Sequence, residues 1–265
     1  MIMATTVLCL LALVAASQAA LPYGLRPQIY YGQIAAKGQF PYQVSIAKKT
    51  KVWMTDQCGG TIINENYVLT SALCLQRTTD IEDLVVIAGT IDTSNMTYAY
   101  KVEKVINHPL VNFGTKQNDI ALLKLKKSFD KVPIIQSVAL PTKNDSFKIG
   151  DVAIVSGWGR NWGAAPQDRQ LRYASLVISD LHECKKIYEN KAYKVHDTNV
   201  CAYDRGTVVS PCIGDEGGPL TVNGKLVGIV SWGNWNYYHC STFGDFPSVY
   251  TSVFSYLGWI KENAV

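Results

Sequence analysis

The chain predicts an all-β fold of closed barrels with a short C-terminal helix. Three observations carry that prediction. Short apolar runs, rich in Val, Ile, Leu and Tyr, recur at even spacing. Gly, Pro, Asn and Asp punctuate them. The last segment places Phe254, Leu257 and Ile260 at helical spacing.

The first set of strands is expected at Tyr42 to Ile46, Gly60 to Ile63, Tyr67 to Leu69, Leu84 to Ile87, Ala99 to Ile106 and Ile120 to Leu125. A polar stretch from Thr142 to Lys148 then separates the halves. The second set is expected at Val152 to Ser156, Arg172 to Ile178, Leu220 to Val222, Lys225 to Ser231 and Ser248 to Val253. Asn223-Gly224 lies between two apolar runs and signals a two-residue hairpin. Residues 254–262 read as one amphipathic helix.

Composition points to an exported globular protein. The 265 residues are 48% hydrophobic, ample for a sizeable core. Residues 1–19 are uncharged and apolar and close on the small residues Ser17-Gln18-Ala19-Ala20, as a signal peptide does. No other stretch is long and apolar enough to anchor in a membrane. Of seven cysteines, Cys9 lies in the leader, and an even number in an exported chain predicts disulfides. Six cysteines allow fifteen connectivities, and the sequence alone does not choose among them. Asn95-Met96-Thr97 and Asn144-Asp145-Ser146 are glycosylation sequons at Asn95 and Asn144. The net charge is +4, with lysines grouped at Lys48-Lys49-Thr50-Lys51, Lys124 to Lys127 and Lys185-Lys186. Such runs read as solvated faces with a mild attraction for acidic partners. No nucleic-acid partner, cofactor or metal is expected.

Several motifs, in order, resemble the trypsin/chymotrypsin family of serine proteases. They are Phe40-Pro41-Tyr42-Gln43-Val44-Ser45-Ile46, Cys58-Gly59-Gly60-Thr61-Ile62-Ile63, Val155-Ser156-Gly157-Trp158-Gly159, Val230-Ser231-Trp232-Gly233 and Val249-Tyr250-Thr251-Ser252-Val253. Two more carry the chemistry: Leu69-Thr70-Ser71-Ala72-Leu73-Cys74 and Gly214-Asp215-Glu216-Gly217-Gly218-Pro219. Among relatives, the chain looks similar to the mite group 3 proteases and to the inactivated protease paralogues of the scabies mite. The resemblance implies two six-stranded antiparallel barrels packed together, roughly 29–142 and 149–253. It implies a short propeptide at 20–28 and a protease homology domain at 29–265. It also implies the pairs Cys58–Cys74, Cys184–Cys201 and Cys212–Cys240.

Where the family has its general-base histidine the chain has Leu73, and where the family has its nucleophilic serine it has Glu216. Asp119 survives as the third triad position. Acyl transfer needs a nucleophile and a base within hydrogen-bond reach. Losing the triad costs about 10⁶-fold in turnover, and losing two members is little worse than losing one. The other histidines, His108, His182, His196 and His239, have no family context, and His108 reads as part of a surface turn. The resemblance implies that Asp119 accepts hydrogen bonds from the N–H groups of Ala72 and Leu73 and from Ser231. The N–H groups of Gly214 and Glu216 would form the former oxyanion hole. The Glu216 carboxylate beside them is placed to occupy it.

The former specificity pocket would have Ser210 at its base, Gly233 on one wall and Ser248 on the other, where a glycine is usual. The Ser248 side chain is expected to intrude. The start of the mature chain, Ile29-Tyr30-Tyr31-Gly32, departs from the family pattern, and Arg26 precedes a proline. A free Ile29 amino group would pair with Asp215. Trp235, Tyr237 and Tyr238 concentrate aromatics in one loop, fit either for packing or for contact with a partner.

The reading is a secreted, catalytically inactive homologue that works by binding proteins. The scabies-mite resemblance implies host complement proteins as partners, met in the gut lumen. The alternatives are a regulatory cofactor of an arthropod protease cascade and a residual serine endopeptidase. Cascade cofactors of that kind usually carry a disulfide-knotted N-terminal domain, and no cysteine lies between Cys9 and Cys58.

Overall fold

The computed structural model describes residues 29, 32–49, 54–76, 80–159, 169–204, 209–235, 240 and 246–265. The leader, the propeptide and the aromatic residues Tyr237 and Tyr238 lie outside the described residues, as does His239.

A two-residue strand β1 (Gln33–Ile34) comes first. Then β2 (Gln43–Lys49), β3 (Met54–Ile62), β4 (Tyr67–Thr70), β5 (Leu84–Ala88), β6 (Tyr98–Asn107) and β7 (Ala121–Leu125) close a barrel in the order β2-β3-β4-β7-β6-β5. The second barrel uses β8 (Val152–Gly157), β9 (Arg172–Ile178), β10 (Asn199–Tyr203), β11 (Pro219–Val222), β12 (Lys225–Trp232) and β13 (Ser248–Ser252). Its order is β9-β10-β13-β12-β11-β8, closed by β8 on β9, with β1 paired to the outside of β9. All these strand pairs are antiparallel, which suits consecutive strands joined by tight turns. Closure removes the free edges that would otherwise invite aggregation.

Each barrel has its own core. Val44, Ile46, Val68, Val86, Val102 and Leu123 fill the first. Val155, Leu176, Leu220, Val230 and Tyr250 fill the second, where Ile29 is also fully buried. A third cluster joins Leu69, Ile120 and Leu122 of the first barrel to Leu226 and Ile229 of the second and to Ile260 of the C-terminal helix. That cluster welds the two barrels into one body. The chain end is tied back as well: the Tyr67 hydroxyl donates to the Val265 carbonyl at 2.9 Å, and the Asn64 amide to that of Ala264 at 3.1 Å.

Asn223 and Gly224 both have positive φ, 49° and 75°, and turn β11 into β12 as the hairpin signal requires. The three cystine pairs are Cys58–Cys74, Cys184–Cys201 and Cys212–Cys240. They span 16, 17 and 28 residues of sequence. Each stabilises the fold by about 3 kcal/mol through restriction of the unfolded chain.

The structure adds elements that the sequence pattern did not predict. Strand β10 completes the second barrel, but Asn-Val-Cys-Ala-Tyr has no alternation to mark it, because it is buried along almost its whole length. A helix α1 (Ala72–Leu75) is a single turn capped by the Ser71 hydroxyl. Helix α2 (Leu181–Ile187) is capped by Asp180, whose carboxylate accepts from the N–H groups of His182 and Glu183 at 2.7 and 3.0 Å. Seven residues are too few to display a helical period. The C-terminal segment is a 3₁₀ turn at Phe254–Tyr256 followed by α3 (Leu257–Asn263). His108 opens a surface turn, its carbonyl accepting from the Val111 N–H at 3.0 Å. Its ring packs edge-on to Tyr256 and against Trp259, at centroid distances of 5.2 and 5.3 Å.

Candidate functional site

The two barrels meet backbone to backbone where the two chemistry-bearing motifs converge. A Cβ on Gly59 of β3 would lie 2.8 Å from the backbone of Gly218, so neither barrel could approach with a side chain there. Gly217 has φ +84°, and a Cβ on it would meet the Thr70 hydroxyl at 2.2 Å. Across the seam the Gly59 N–H donates to the Glu216 carbonyl at 2.8 Å, and within the first barrel Thr70 Oγ1 donates to the Gly59 carbonyl at 2.8 Å. The seam thus sets Leu73, on the first barrel, and Glu216, on the second, at one junction.

Asp119 is 1% exposed and lies just ahead of β7. Three donors surround its carboxylate. Ser71 Oγ donates at 2.6 Å, the Leu73 N–H at 2.8 Å and Ser231 Oγ at 2.5 Å. The first corrects the sequence reading, because the Ser71 hydroxyl takes the place expected for the Ala72 N–H. The adjacent Cys74 N–H donates back to Ser71 Oγ at 3.3 Å, which fixes the hydroxyl's rotamer. Burial pushes the Asp119 carboxyl up, opposed by these bonds and by Lys116. A buried carboxylate with three donors is satisfied without a histidine.

Glu216 turns its carboxylate onto the turn that carries it. Oε2 accepts from the Gly214 N–H at 2.5 Å. This is one of the two N–H groups proposed for the oxyanion hole, and the carboxylate occupies it. Burial raises the Glu216 carboxyl above its ordinary range. Lys116 faces both Glu216 and Asp119; burial lowers its ammonium and the two carboxylates oppose that. Its Nζ also stands 4.0 Å from the centre of the Tyr193 ring. Neither Ser71 nor Lys116 was singled out from the sequence. Only the capping position of Ser71, three residues before Cys74, could have signalled it.

Asp215 is fully buried, and its carboxylate accepts from the N–H groups of Gly159 at 2.6 Å and Cys212 at 2.8 Å. A Cβ on Gly157 or Gly159 would fall within 2.3 Å of this carboxyl, which accounts for both glycines of Val155-Ser156-Gly157-Trp158-Gly159. Burial pushes the Asp215 carboxyl up to about 7.

On the pocket side, Ser210 Oγ donates to the Cys240 carbonyl at 2.5 Å. Ser248 is buried at the start of β13. Gly233 does not leave an open wall: the Trp235 indole lies over it, and a Cβ there would meet Nε1 at 2.4 Å. The same indole packs on the second-barrel cluster that contains Val230 and Tyr250. For Trp235 the choice between packing and free display falls to packing.

The chain matches known proteins in sequence along nearly its whole length. A family model described as Trypsin matches residues 29–260. The chain belongs to the trypsin family. It is 33% identical over 263 residues to Trypsin beta of Drosophila erecta, covering 97% of this chain and 98% of that protein. It is 32% identical to Trypsin delta of Drosophila melanogaster, with the same coverage, and 33% identical to that fly's Trypsin alpha.

Away from the junction, a cavity of about 690 Å³ lies between α2 and the turn at Ile149, with Ile178, Val200 and Phe254 in its lining. Among the described residues no group of His, Cys, Asp and Glu has the arrangement of a metal site. No helix among them is long and apolar enough to cross a membrane.

Proposed function

We propose that this trypsin-family chain is a secreted, catalytically inactive homologue that acts by binding other proteins. One observation carries the reading: the residue in the nucleophile position is Glu216, and its carboxylate sits on the Gly214 N–H at 2.5 Å. Hydrolysis needs an attacking atom, a base to take its proton and donors for the oxyanion. Leu73 cannot accept a proton. A carboxylate on one of the oxyanion donors excludes a substrate carbonyl from it. Asp119, satisfied by Ser71, Leu73 and Ser231, has no catalytic partner to orient and serves the fold.

The partner class rests on resemblance to the inactivated scabies-mite paralogues of the group 3 proteases. It points to host complement or other defence proteins in an extracellular space, with the leader at 1–19 and three disulfides in keeping with export. Asn95 and Asn144, both exposed, are the proposed glycan sites. The relatives' names favour a second reading, a residual endopeptidase. Fluorophosphonate labelling separates the two: the purified chain, with and without cleavage before Ile29, is expected to stay unlabelled. Stoichiometric labelling of any serine would establish the endopeptidase instead. Inhibition of complement-mediated lysis by the unlabelled protein is the positive test of the binding role.

A further inference from the structure

We infer that Lys116 is an internal latch, whose ammonium reaches from the first barrel to the second and closes the cleft to an extended chain approaching Glu216. The latch goes beyond the loss of chemistry proposed above, since it acts on entry to the junction and not on the residues that would react there.

The latch starts on a loop of the first barrel that is held at several points. Between β6 and β7, Asn118 Nδ2 donates to the Leu110 carbonyl at 2.7 Å, and the Tyr256 hydroxyl donates to Asn118 Oδ1 at 2.7 Å. The Asn112 carboxamide oxygen accepts from the N–H groups of Gly114 and Thr115, both at 2.9 Å. The Asn112 N–H donates to the Gln117 carbonyl at 2.9 Å. Lys116 lies inside this set with φ +61°, a left-handed conformation that is costly for a side chain of its length. Strain of this kind persists where the surrounding contacts over-determine the backbone. The latch ends on the second barrel. Lys116 Nζ stands 4.0 Å from the centre of the Tyr193 ring. Tyr193 leans on Trp232 at a centroid distance of 5.9 Å, and Trp232 is buried at the end of β12. Trp232 in turn meets the Tyr188 ring at 4.9 Å, and the Tyr188 hydroxyl donates to the Pro247 carbonyl at 2.7 Å.

Two forces hold the ammonium in place. A cation within about 6 Å of a ring centre is attracted to the ring's face, more strongly as water is excluded. Asp119 and Glu216 attract it as well, against the burial that disfavours its charge. The consequence is geometric. One ammonium faces Glu216 and also caps a ring that is anchored to Trp232. Trp235 covers Gly233, the residue after Trp232. Lys116 covers the stretch between Trp232 and Glu216. A chain that reaches Glu216 from the Trp232 side must first lift Lys116 off Tyr193.

The test is a double-mutant cycle on the full-length chain, read by calorimetry with a standard-mechanism protease inhibitor, whose extended loop has to pass this point. Lys116→Ala and Tyr193→Ala should each raise its affinity about ten-fold, the scale of one partly desolvated cation–π contact. The two together should raise it no further than either alone, because they break the same contact. Lys116→Arg, which keeps a cation on the ring, should bind the inhibitor as weakly as the parent. Tyr193 is 37% exposed and Lys116 lies at the surface of its loop, so neither truncation empties a core. The same cycle on a Glu216→Ser background keeps the effect measurable where the parent binds too weakly. Unchanged affinity in Lys116→Ala on both backgrounds, or gains that simply add in the double variant, would overturn the latch. Labelling of a serine would instead overturn the non-catalytic reading and leave the latch standing.

Discussion

Under the proposed loss of activity, the two halves of the junction differ in kind. On the first barrel the change is a subtraction. Leu73 replaces a base, yet every polar atom that faces Asp119 keeps a partner: Ser71, the Leu73 N–H and Ser231 supply three donors. On the second barrel the change is an addition. Glu216 takes the Gly214 N–H, and Trp235 covers Gly233. On the proposed reading the first half lacks a base and keeps its donors, while the second has a donor and a wall of its cleft covered. A buried carboxylate must be satisfied whatever the function, so Asp119 persists by physical necessity. A cavity has no such protection, and any side chain that fills it gains packing.

The comparison predicts that repairing one half leaves the protein inactive. Glu216→Ser alone should show no turnover of peptide esters or amides, about 10⁶-fold below an intact triad, because no base exists. Leu73→His/Glu216→Ser restores the chemistry and should still be slow until Ser248→Gly and Trp235→Gly reopen the second half. Steady-state kinetics on the series would decide. If the double reversion alone reaches ordinary protease rates, the second half is not closed.

Inhibitor affinity reads the second half directly. A standard-mechanism protease inhibitor, which inserts a side chain and a carbonyl into this cleft, should bind the parent chain no better than the micromolar range. Turning the Glu216 carboxylate off the Gly214 N–H to admit a carbonyl costs several kcal/mol, and a lost anchor about 1.5–3 kcal/mol. Calorimetry on Trp235→Gly/Glu216→Ser should show a gain of at least ten-fold. Nanomolar binding to the parent would show that the cleft remains open.

Stability against pH compares the carboxyls. Asp215 sits near 7 against an ordinary 3.8, because burial favours its neutral form. The folded chain therefore binds a proton that the unfolded chain has lost, and stability falls as pH rises from about 4 to 7, by about 4 kcal/mol in all. Burial shifts Asp119 and Glu216 in the same direction. Urea unfolding at pH 5 and pH 8, with Ile29 still joined to the residues before it, should give a higher midpoint at pH 5. Asp215→Asn should flatten the difference.

A smaller effect tests the claim that Asp119 is structural. Asp119→Ala leaves two buried hydroxyls and one N–H without an acceptor and should cost about 3 kcal/mol. Asp119→Asn, which keeps an acceptor oxygen, should cost less. Thermal unfolding of the two variants orders them. An unchanged midpoint in Asp119→Ala would remove the structural role.

Much of this was legible in the chain. Alternating and apolar runs mark the strands because each barrel wall has one face in a core. Leu73 and Glu216 were legible because catalysis demands particular atoms at fixed places in a motif. Strand β10 was not, since a strand buried along its length loses the alternation that betrays one. Helix α2 was too short for a period, although its Asp180 cap was written in the sequence.

By itself, the sequence determined which residues stand at the junction, which hairpin joins β11 to β12, and where the glycines must stand. Only the tertiary structure decided where the remaining polar groups point. It replaced the expected Ala72 N–H by the Ser71 hydroxyl, carried the Ser71 and Ser231 hydroxyls to Asp119 across 48 and 112 residues of sequence, and set Lys116 to face Glu216 as well as the nearby Asp119. The physical reason is range. Strand period and turn preference are set by neighbours in the chain. The partner of a buried charge and the occupant of an empty pocket are set by whatever the closed barrels bring within a few ångströms.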